Sequence, residues 1–287
     1  MANYPEKVYI NGKIVPHNEA QISVFDRGFL FGDGIYEVMV QIGKTFFYGK
    51  EHLLRLASCL EKINLDFDVS TLPKEIEKLL FASKLSDVDC LVYMQVTRGV
   101  AVRKHAFPKS AKPTIVMYAI PLTLPDINQK SIDAITTEDS RWHRCDIKTT
   151  SLLGNVMAND KAAEQESYEA IFIRYGRITE ASHCNVFFVK NDIVYTHPAD
   201  TNILDGITRQ IVLQLCEKMA IEVREEAVLI ENLAKMDEAF LTGTTTQVAS
   251  IGRIDEHSFT SDGNIGPITR QLQQAFLDVK GTYKGTL

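Results

Sequence analysis

Long apolar stretches are missing from this chain: nothing in it is hydrophobic for the length a bilayer span requires. The opening, Met1-Ala2-Asn3-Tyr4-Pro5-Glu6, has neither the basic start nor the apolar run of a signal peptide, which sets the expectation of a cytoplasmic protein. Cysteine is scarce too. Cys59, Cys90, Cys145, Cys184 and Cys216 are odd in number, widely spaced, and never fall as Cys-x-x-Cys. That argues against a disulfide framework or a zinc site and for a reducing compartment, and no metal is expected. Positive charge is not in excess. With 31 Lys and Arg against 37 Asp and Glu the net charge is -6, and a field of that sign does not gather nucleic acid or an anionic membrane. No Gly-x-Gly-x-x-Gly opens a helix, and there is no Walker loop, His-Glu-x-x-His or nucleophile elbow. Dinucleotide oxidoreductases, nucleotide hydrolases, zinc proteases and serine hydrolases drop to low priority. Internal repeats and low-complexity tracts are absent as well.

What is present is ordinary globular material: 287 residues, 45% hydrophobic and 24% charged, enough for one large domain or two modest ones. Val8–Ile10 and Lys13–Val15 flank Asn11-Gly12, the preferred pair for a two-residue hairpin turn. Ile35–Val40 and Thr45–Phe47 read as further strands. From Glu51 the period changes, with Leu53, Leu56, Ala57, Leu60 and Ile63 on one helical face. A second helix opens at Pro73 and runs to about Leu85. Cys90–Val96 and Thr114–Ile120 complete a sheet with two helices on it. Pro121–Asp126, with two prolines, is the best linker. Beyond it helices are predicted at Leu152–Tyr168, Ile207–Met219 and Ile268–Val279. Strands are predicted at Ala170–Arg174, Val186–Val189, Ile193–Thr196 and Ala239–Thr242. The elements do not alternate regularly, which favours an α/β fold of mixed, α+β-like sheets over a doubly wound parallel sheet. The expected domains are 1–120 and 127–287, joined by 121–126.

Five segments carry chemistry in combination. Lys148 precedes a helix in Cys145-Asp146-Ile147-Lys148-Thr149-Thr150-Ser151. A desolvated lysine amine can bond an aldehyde cofactor, although a single lysine is more often a solvated surface group. Leu204-Asp205-Gly206-Ile207-Thr208-Arg209 opens an amphipathic helix whose free N–H groups suit phosphate, or is an ordinary helix start. Thr242-Gly243-Thr244-Thr245-Thr246 is a phosphate cup or a polar loop. Glu180, before the apolar strand Val186–Val189, is a partner for a protonated pyridine nitrogen or a surface turn acid. Arg103 and His105, in a loop after a strand, form a carboxylate trap or a solvated basic loop. An aldehyde-binding lysine, a pyridine partner, a phosphate site and a carboxylate site together fit one cofactor, pyridoxal 5′-phosphate.

Over nearly its whole length the chain resembles the fold-type IV pyridoxal-phosphate enzymes, and among them the D-amino acid (D-alanine) transaminases. Asp26-Arg27-Gly28, Phe31-Gly32-Asp33-Gly34-Ile35-Tyr36-Glu37-Val38, Cys145-Asp146-Ile147-Lys148 and Gly206-Ile207-Thr208-Arg209 match in order and spacing. The resemblance implies two α/β domains with the cofactor in the cleft between them. It implies that Lys148 holds the cofactor as a Schiff base and shuttles the substrate proton, and that Glu180 binds the ring nitrogen. Arg55, Ile207, Thr208 and Thr244 would bind the phosphate, Leu204 would press on one ring face, and Arg141 would lie near Glu180. Tyr36 would sit near Lys148, and Tyr36, Val38, Arg103 and His105 would contact substrate. The Arg-x-His pair of Arg103 and His105 favours D-amino acids as donors with a 2-oxo acid such as 2-oxoglutarate or pyruvate as acceptor, in a homodimer whose trap loop serves the neighbouring subunit. The alternatives are a branched-chain L-amino acid or (R)-amine transaminase, an aminodeoxychorismate lyase, and a non-catalytic cofactor-binding relative. Two departures from the family pattern stand out. Ser182-His183-Cys184 replaces an expected run of serines, and Gly243 replaces another.

Overall fold

Asn11 and Gly12 take φ of 49° and 91°, the left-handed pair that a two-residue hairpin requires, and Ile10 faces Lys13 across it. This is the first hairpin of a computed structural model that describes residues 4–127, 131–259, 264–285 and 287; Met1–Asn3, the start of the segment read above for a signal peptide, lie outside the described residues. The chain divides into two compact units. The first holds 1–123, 147–151 and 283–287, and the second holds 124–146 and 152–282.

The first unit contains β1 (Lys7–Ile10), β2 (Lys13–Pro16), α1 (Arg27–Phe31), β3 (Gly34–Ile42), β4 (Thr45–Phe46), α2 (Gly49–Lys62), α3 (Leu72–Ala82), β5 (Cys90–Thr97) and β6 (Thr114–Pro121). Its six strands form one antiparallel sheet in the order β2-β1-β6-β5-β3-β4. The apolar stripe of α2, with Leu56 and Leu60, packs with Ile76 and Leu79 of α3 against Ile35, Met39, Val92 and Met94 of the sheet. Burying each such side chain stabilises the fold by about 1.5–3 kcal/mol. The tail joins this unit because Tyr283 stacks on Tyr48 at 4.7 Å and Leu287 lies against Gly49.

The segment Ile147–Ser151 belongs here for a backbone reason. β4 pairs with β3 only at Gln41 and Ile42, so the other end of β3 has an open edge. Residues 148–150 fill it: Tyr36 N donates to Lys148 O at 3.0 Å, Thr150 N to Gly34 O at 3.0 Å, and Ile35 bridges Thr149. A single break near Pro121 does not anticipate this return of the chain.

The second unit contains β7 (Ile132–Glu138), α4 (Leu153–Glu164), β8 (Glu169–Arg174), β9 (Arg177–Ala181), β10 (Asn185–Lys190), β11 (Ile193–Thr196), α5 (Ile207–Lys218), β12 (Val223–Arg224), β13 (Glu238–Gly243), β14 (Gln247–Ile254), β15 (His257–Ser258) and α6 (Pro267–Thr282). The sheet is mixed, in the order β12-β11-β10-β13-β14-β7-β8-β9 with β15 on β14. β7 runs parallel to both β14 and β8, and the other described pairings are antiparallel except β11 with β12. A mixed-sheet α/β fold is what the irregular element order predicts.

Five strands and a short helix were not foreseen: β7, β9, β12, β14, β15 and α1. The helix predicted to Tyr168 stops at Glu164, where Gln165, Glu166 and Ser167 donate back to Ala162 and Ala163 and Glu166 takes φ 55°. All five cysteines are buried and free. Among the described residues no helix is long and apolar enough to cross a membrane.

Candidate functional site

In the first unit Lys148 is fixed through its backbone. Its amide donates to Cys59 Sγ of α2 at 3.4 Å and its carbonyl accepts from Tyr36. Its Nζ lies 4.3 Å from the centroid of the Tyr36 ring, an aromatic face that suits a cation. Tyr36 stacks on Tyr93, and Tyr93 on Tyr118, so the ring under Lys148 is backed by two others. Val38 lies two residues on, partly exposed on the same strand.

Arg55 of α2 is aimed by an acid the sequence reading passed over. Glu37, fully buried in β3, accepts from Arg55 Nε at 2.9 Å and Nη2 at 2.8 Å, from the Val38 amide at 2.9 Å, and from His52 Nδ1 at 2.9 Å. Burial pushes the Glu37 carboxyl up, but the Arg55 guanidinium and then His52 hold it well below the usual carboxylate range. Burial also pushes His52 down, so the ring is neutral and donates from Nδ1.

The loop with Arg103 and His105 is tied to the same unit. Buried Arg27 donates to the Lys104 carbonyl at 2.6 Å and the His105 carbonyl at 3.4 Å, while its Nε pairs with Asp33 at 2.7 Å. Both exposed side chains flank one ring: the Arg103 guanidinium is 5.1 Å and the His105 ring 5.6 Å from the centre of Phe31. The two residues predicted to trap a carboxylate therefore flank the same ring.

In the second unit Glu180 lies in β9, buried, and not in a surface turn. Arg141 Nη1 donates to its Oε1 at 2.6 Å, and Oε2 accepts from Asn185 Nδ2 at 3.2 Å and the Leu204 amide at 3.0 Å. Arg141 is itself gripped by Asp139 through two bonds of 2.9 and 3.0 Å, and lies 4.0 Å over the Phe172 ring. Burial pushes the Glu180 carboxyl up to about 7, with Arg141 pulling against it. Asn185 also donates to the Leu204 carbonyl at 2.8 Å, and a Cβ on Gly206 would strike Asn185 Oδ1. That close approach requires glycine immediately before α5. α5 begins without a side-chain cap, so the amides of Ile207 and Thr208 face outward from the helix start.

Thr244 sits in the turn between β13 and β14, half-buried. Two residues earlier, Thr242 Oγ1 is buried without a hydrogen-bond partner. The departures meet at this turn. Cys184 Sγ donates to Thr246 Oγ1 at 3.2 Å, and a Cβ on Gly243 would come within 3.1 Å of that sulfur. The two replacements are thus one packing event, a larger atom at 184 and a smaller residue at 243.

The structure brings the predicted residues into two sets, Lys148, Tyr36, Val38, Arg55, Arg103 and His105 in the first unit and Glu180, Arg141, Leu204, Ile207, Thr208 and Thr244 in the second. It adds Glu37, His52, Asp139 and Asn185 as the groups that aim them. Glu37 carried a signal, an acid inside the apolar run Ile35–Val40; Asp139 and Asn185 carried none.

An amino-transferase class IV model matches residues 34–254. The D-alanine aminotransferase of Bacillus licheniformis is 40% identical over 272 residues, covering 94% of this chain and 95% of that protein. The enzyme of the same name from Staphylococcus haemolyticus is 39% identical over 94% of this chain and 96% of its own length. Among solved structures, the branched-chain amino acid aminotransferase of Escherichia coli superimposes with a TM-score of 0.88 at 22% identity, covering 96% of this chain and 95% of that one. The branched-chain aminotransferase of Thermobaculum terrenum, solved in its PLP form, gives 0.82 at 25% identity, over 96% and 94% of the two chains.

Proposed function

The chain belongs to the class IV aminotransferases, and on that footing we propose that it moves amino groups from D-amino acids to 2-oxo acids in the cytoplasm, with pyridoxal 5′-phosphate as cofactor. The observation that carries the cofactor is the Glu180 cluster. A buried carboxyl of β9 poised near neutrality, braced by Arg141 and Asn185, accepts from the Leu204 amide in the loop that leads into the uncapped start of α5. That donor and acceptor set fits a protonated ring nitrogen and a phosphate, and the orphaned Thr242 hydroxyl beside Thr244 fits an oxyanion.

When bound, the cofactor supplies an aldehyde and an electron-withdrawing ring. The protein does the rest. Lys148 Nζ would hold the cofactor and, once the incoming amine has displaced it, would take the proton from the substrate Cα. Glu180 keeps the ring nitrogen protonated, and Leu204 supports a ring face. Arg55, Thr208, Thr244 and the amides of Ile207 and Thr208 hold the phosphate. Tyr36 and Val38 line the substrate side, and Arg103 with His105 grips the α-carboxylate through charge-assisted bonds. Where the carboxylate is held decides which hand of amino acid turns its Cα–H toward Lys148.

The D-hand rests on the Arg103 and His105 pair and on relatives that are D-alanine aminotransferases at 39–40% identity. The branched-chain enzymes share the fold at 22–25% identity, which does not carry their substrates to this chain. A homodimer is part of the proposal. Phe25, Phe29, Val102 and Phe107 are all more than half exposed beside the trap loop, an apolar surface that calls for cover. A fully active monomer in analytical ultracentrifugation overturns it.

The test is a half-reaction without acceptor. The absorbance band of the bound cofactor is followed as D-alanine, D-glutamate, L-leucine, L-glutamate or 1-phenylethylamine is added. Rapid loss with the D-amino acids alone is expected. Loss with L-leucine or the amine instead keeps the family and Lys148 and refutes the D-specific reading.

A further inference from the structure

Three side chains of different donor chemistry converge in the second unit, and the proposed reaction uses none of them. His183 and Cys184, which stand where serines are expected, lie in the turn between β9 and β10. The Ala181 amide closes that turn on the Cys184 carbonyl at 2.8 Å, and the Ser182 amide donates to the Ala170 carbonyl at 2.9 Å. Beneath it is Glu169, the first residue of β8 and completely buried. Its Oε1 accepts from the amides of Ala170 and Ser182 and from the Ser182 hydroxyl. Its Oε2 accepts from the His183 amide at 3.2 Å and from His183 Nδ1 at 2.7 Å. Cys184 is buried, and its Sγ donates to Thr246 Oγ1 at 3.2 Å.

A carboxylate oxygen, an imidazole nitrogen and a thiol sulfur of these residues lie within 4.8 Å of one another, among the described residues the one such group. Cysteine spacing gives no sign of it, because the third donor comes from a different strand, 14 residues before His183. Zinc bonds of about 2.0–2.3 Å at tetrahedral angles place ligand atoms about 3.4–3.6 Å apart. The Nδ1 to Oε2 distance of 2.7 Å therefore has to open by about 0.7 Å, and the sulfur has to close by at most about 1.3 Å. Rotation about the side-chain bonds of two adjacent turn residues covers both movements. Room is present on the sulfur side, where a Cβ on Gly243 would stand 3.1 Å from Cys184 Sγ. The charges also balance. A divalent ion against one carboxylate and one thiolate sums to zero, which suits a site with a fully buried acid. The His183 side chain is 46% exposed, so an ion has a route from solvent and a fourth position for water.

We propose that Glu169 Oε2, His183 Nδ1 and Cys184 Sγ bind a divalent transition-metal ion of the zinc class, with water as the fourth ligand. On binding, the thiol gives up its proton to solvent, and the imidazole meets the ion through Nδ1 while the outward Nε2 keeps a proton. The Thr246 hydroxyl, now an acceptor from the thiol, can turn to donate to the thiolate. Sulfur and nitrogen ligands select zinc or cobalt over magnesium and calcium, which take oxygen. The ion ties the β9–β10 turn to the start of β8, so its binding stabilises the second unit. The site does not depend on the transaminase reading.

The experiment titrates cofactor-loaded, chelator-stripped protein with zinc and with cobalt, in wild type, His183→Ser, Cys184→Ser and Glu169→Gln. The two serine variants carry the residues expected at those positions and should fold, which far-UV circular dichroism checks. Wild type is expected to take up one zinc ion per chain. With cobalt it should show the visible bands of tetrahedral coordination and a near-ultraviolet thiolate band, read against the metal-free holoprotein. Each variant is expected to bind zinc at least about tenfold more weakly, because losing even an outer-shell partner costs about 10–100-fold. The Cys184→Ser variant should lose the thiolate band. Zinc should raise the Tm of wild type and leave the serine variants unmoved, and magnesium should raise neither. A wild type that takes up no zinc overturns the proposal. So does uptake that survives undiminished in either serine variant, which places the ion elsewhere, and so does cobalt bound without the thiolate band.

Discussion

Glu37→Gln removes one charge from a buried cluster and keeps its shape. The wild-type carboxylate accepts two bonds from Arg55, one from His52 and one from the Val38 amide, in a site closed to solvent. The amide of the variant retains one acceptor oxygen, and its NH2 group must face a donor. Two charge-assisted bonds are lost at about 1.5 kcal/mol each, or about 3 kcal/mol. Breaking a buried ion pair by removing one partner costs about 3–5 kcal/mol, so the two routes agree. With a urea slope of about 3 kcal/mol per molar for a chain of this size, the midpoint should fall by about 1 M in far-UV circular dichroism. Acid sharpens the test. Because the folded carboxyl is held below its ordinary range, its stabilisation is complete above about pH 4.3 and is lost as the pH falls below that value toward the folded pKa. Wild type and variant should therefore converge in acid. Replacing both partners with leucine should return the stability to within about 2 kcal/mol of wild type, since an apolar pair carries no desolvation penalty. A loss under about 1 kcal/mol for Glu37→Gln, or a double variant as poor as the sum of its singles, would falsify the reasoning.

Lys148→Ala should abolish turnover with D-alanine; measurable steady-state activity removes Lys148 from its role. Glu180→Gln exchanges a charged acceptor for a neutral one against the ring nitrogen, worth about 2 kcal/mol, so kcat should fall about thirtyfold. An unchanged kcat means that the carboxylate does not face the reacting ring. Gly243→Ser alone should cost about 1–2 kcal/mol by urea titration, because its Cβ meets Cys184 Sγ at 3.1 Å and the Thr246 side chain at 3.4 Å. Adding Cys184→Ser should recover most of that loss, and strictly additive costs would show that the two positions are independent.

The hairpin at Asn11-Gly12 and the stripe on α2 were legible because turn chemistry and helical period are local. β7 and β14 were not. Gln247–Ile254 carries Ala249, Ser250 and Gly252, poor strand formers by composition, and it is a strand because β13 and β7 pair with both of its edges. The site divides in the same way. Lys148, Glu180, Arg103 and His105 are chemical types that motifs expose. What aims them is a set of long-range partners, and motif spacing does not report those.

One physical rule would have found part of that set. Glu37 lies within Ile35–Val40, and Glu169 opens the apolar run Ala170–Ile173. An acid inside an apolar strand demands a cation. Each here has one, Arg55 for Glu37 and His183 for Glu169. Asp33 takes Arg27 and Arg98, and Asp139 takes Arg141 and Arg174. For Glu37, Glu169 and Asp139 the acid is the more deeply buried partner, whereas Asp33 is more exposed than either of its arginines. A chain with net charge -6 can therefore serve an anionic cofactor and anionic substrates. Glu37 fixes where the Arg55 guanidinium points, which on the proposed reading is toward the cofactor phosphate. Neutralising an acid in this arrangement releases the aim of its cation, so the loss should appear in ligand binding as well as in stability.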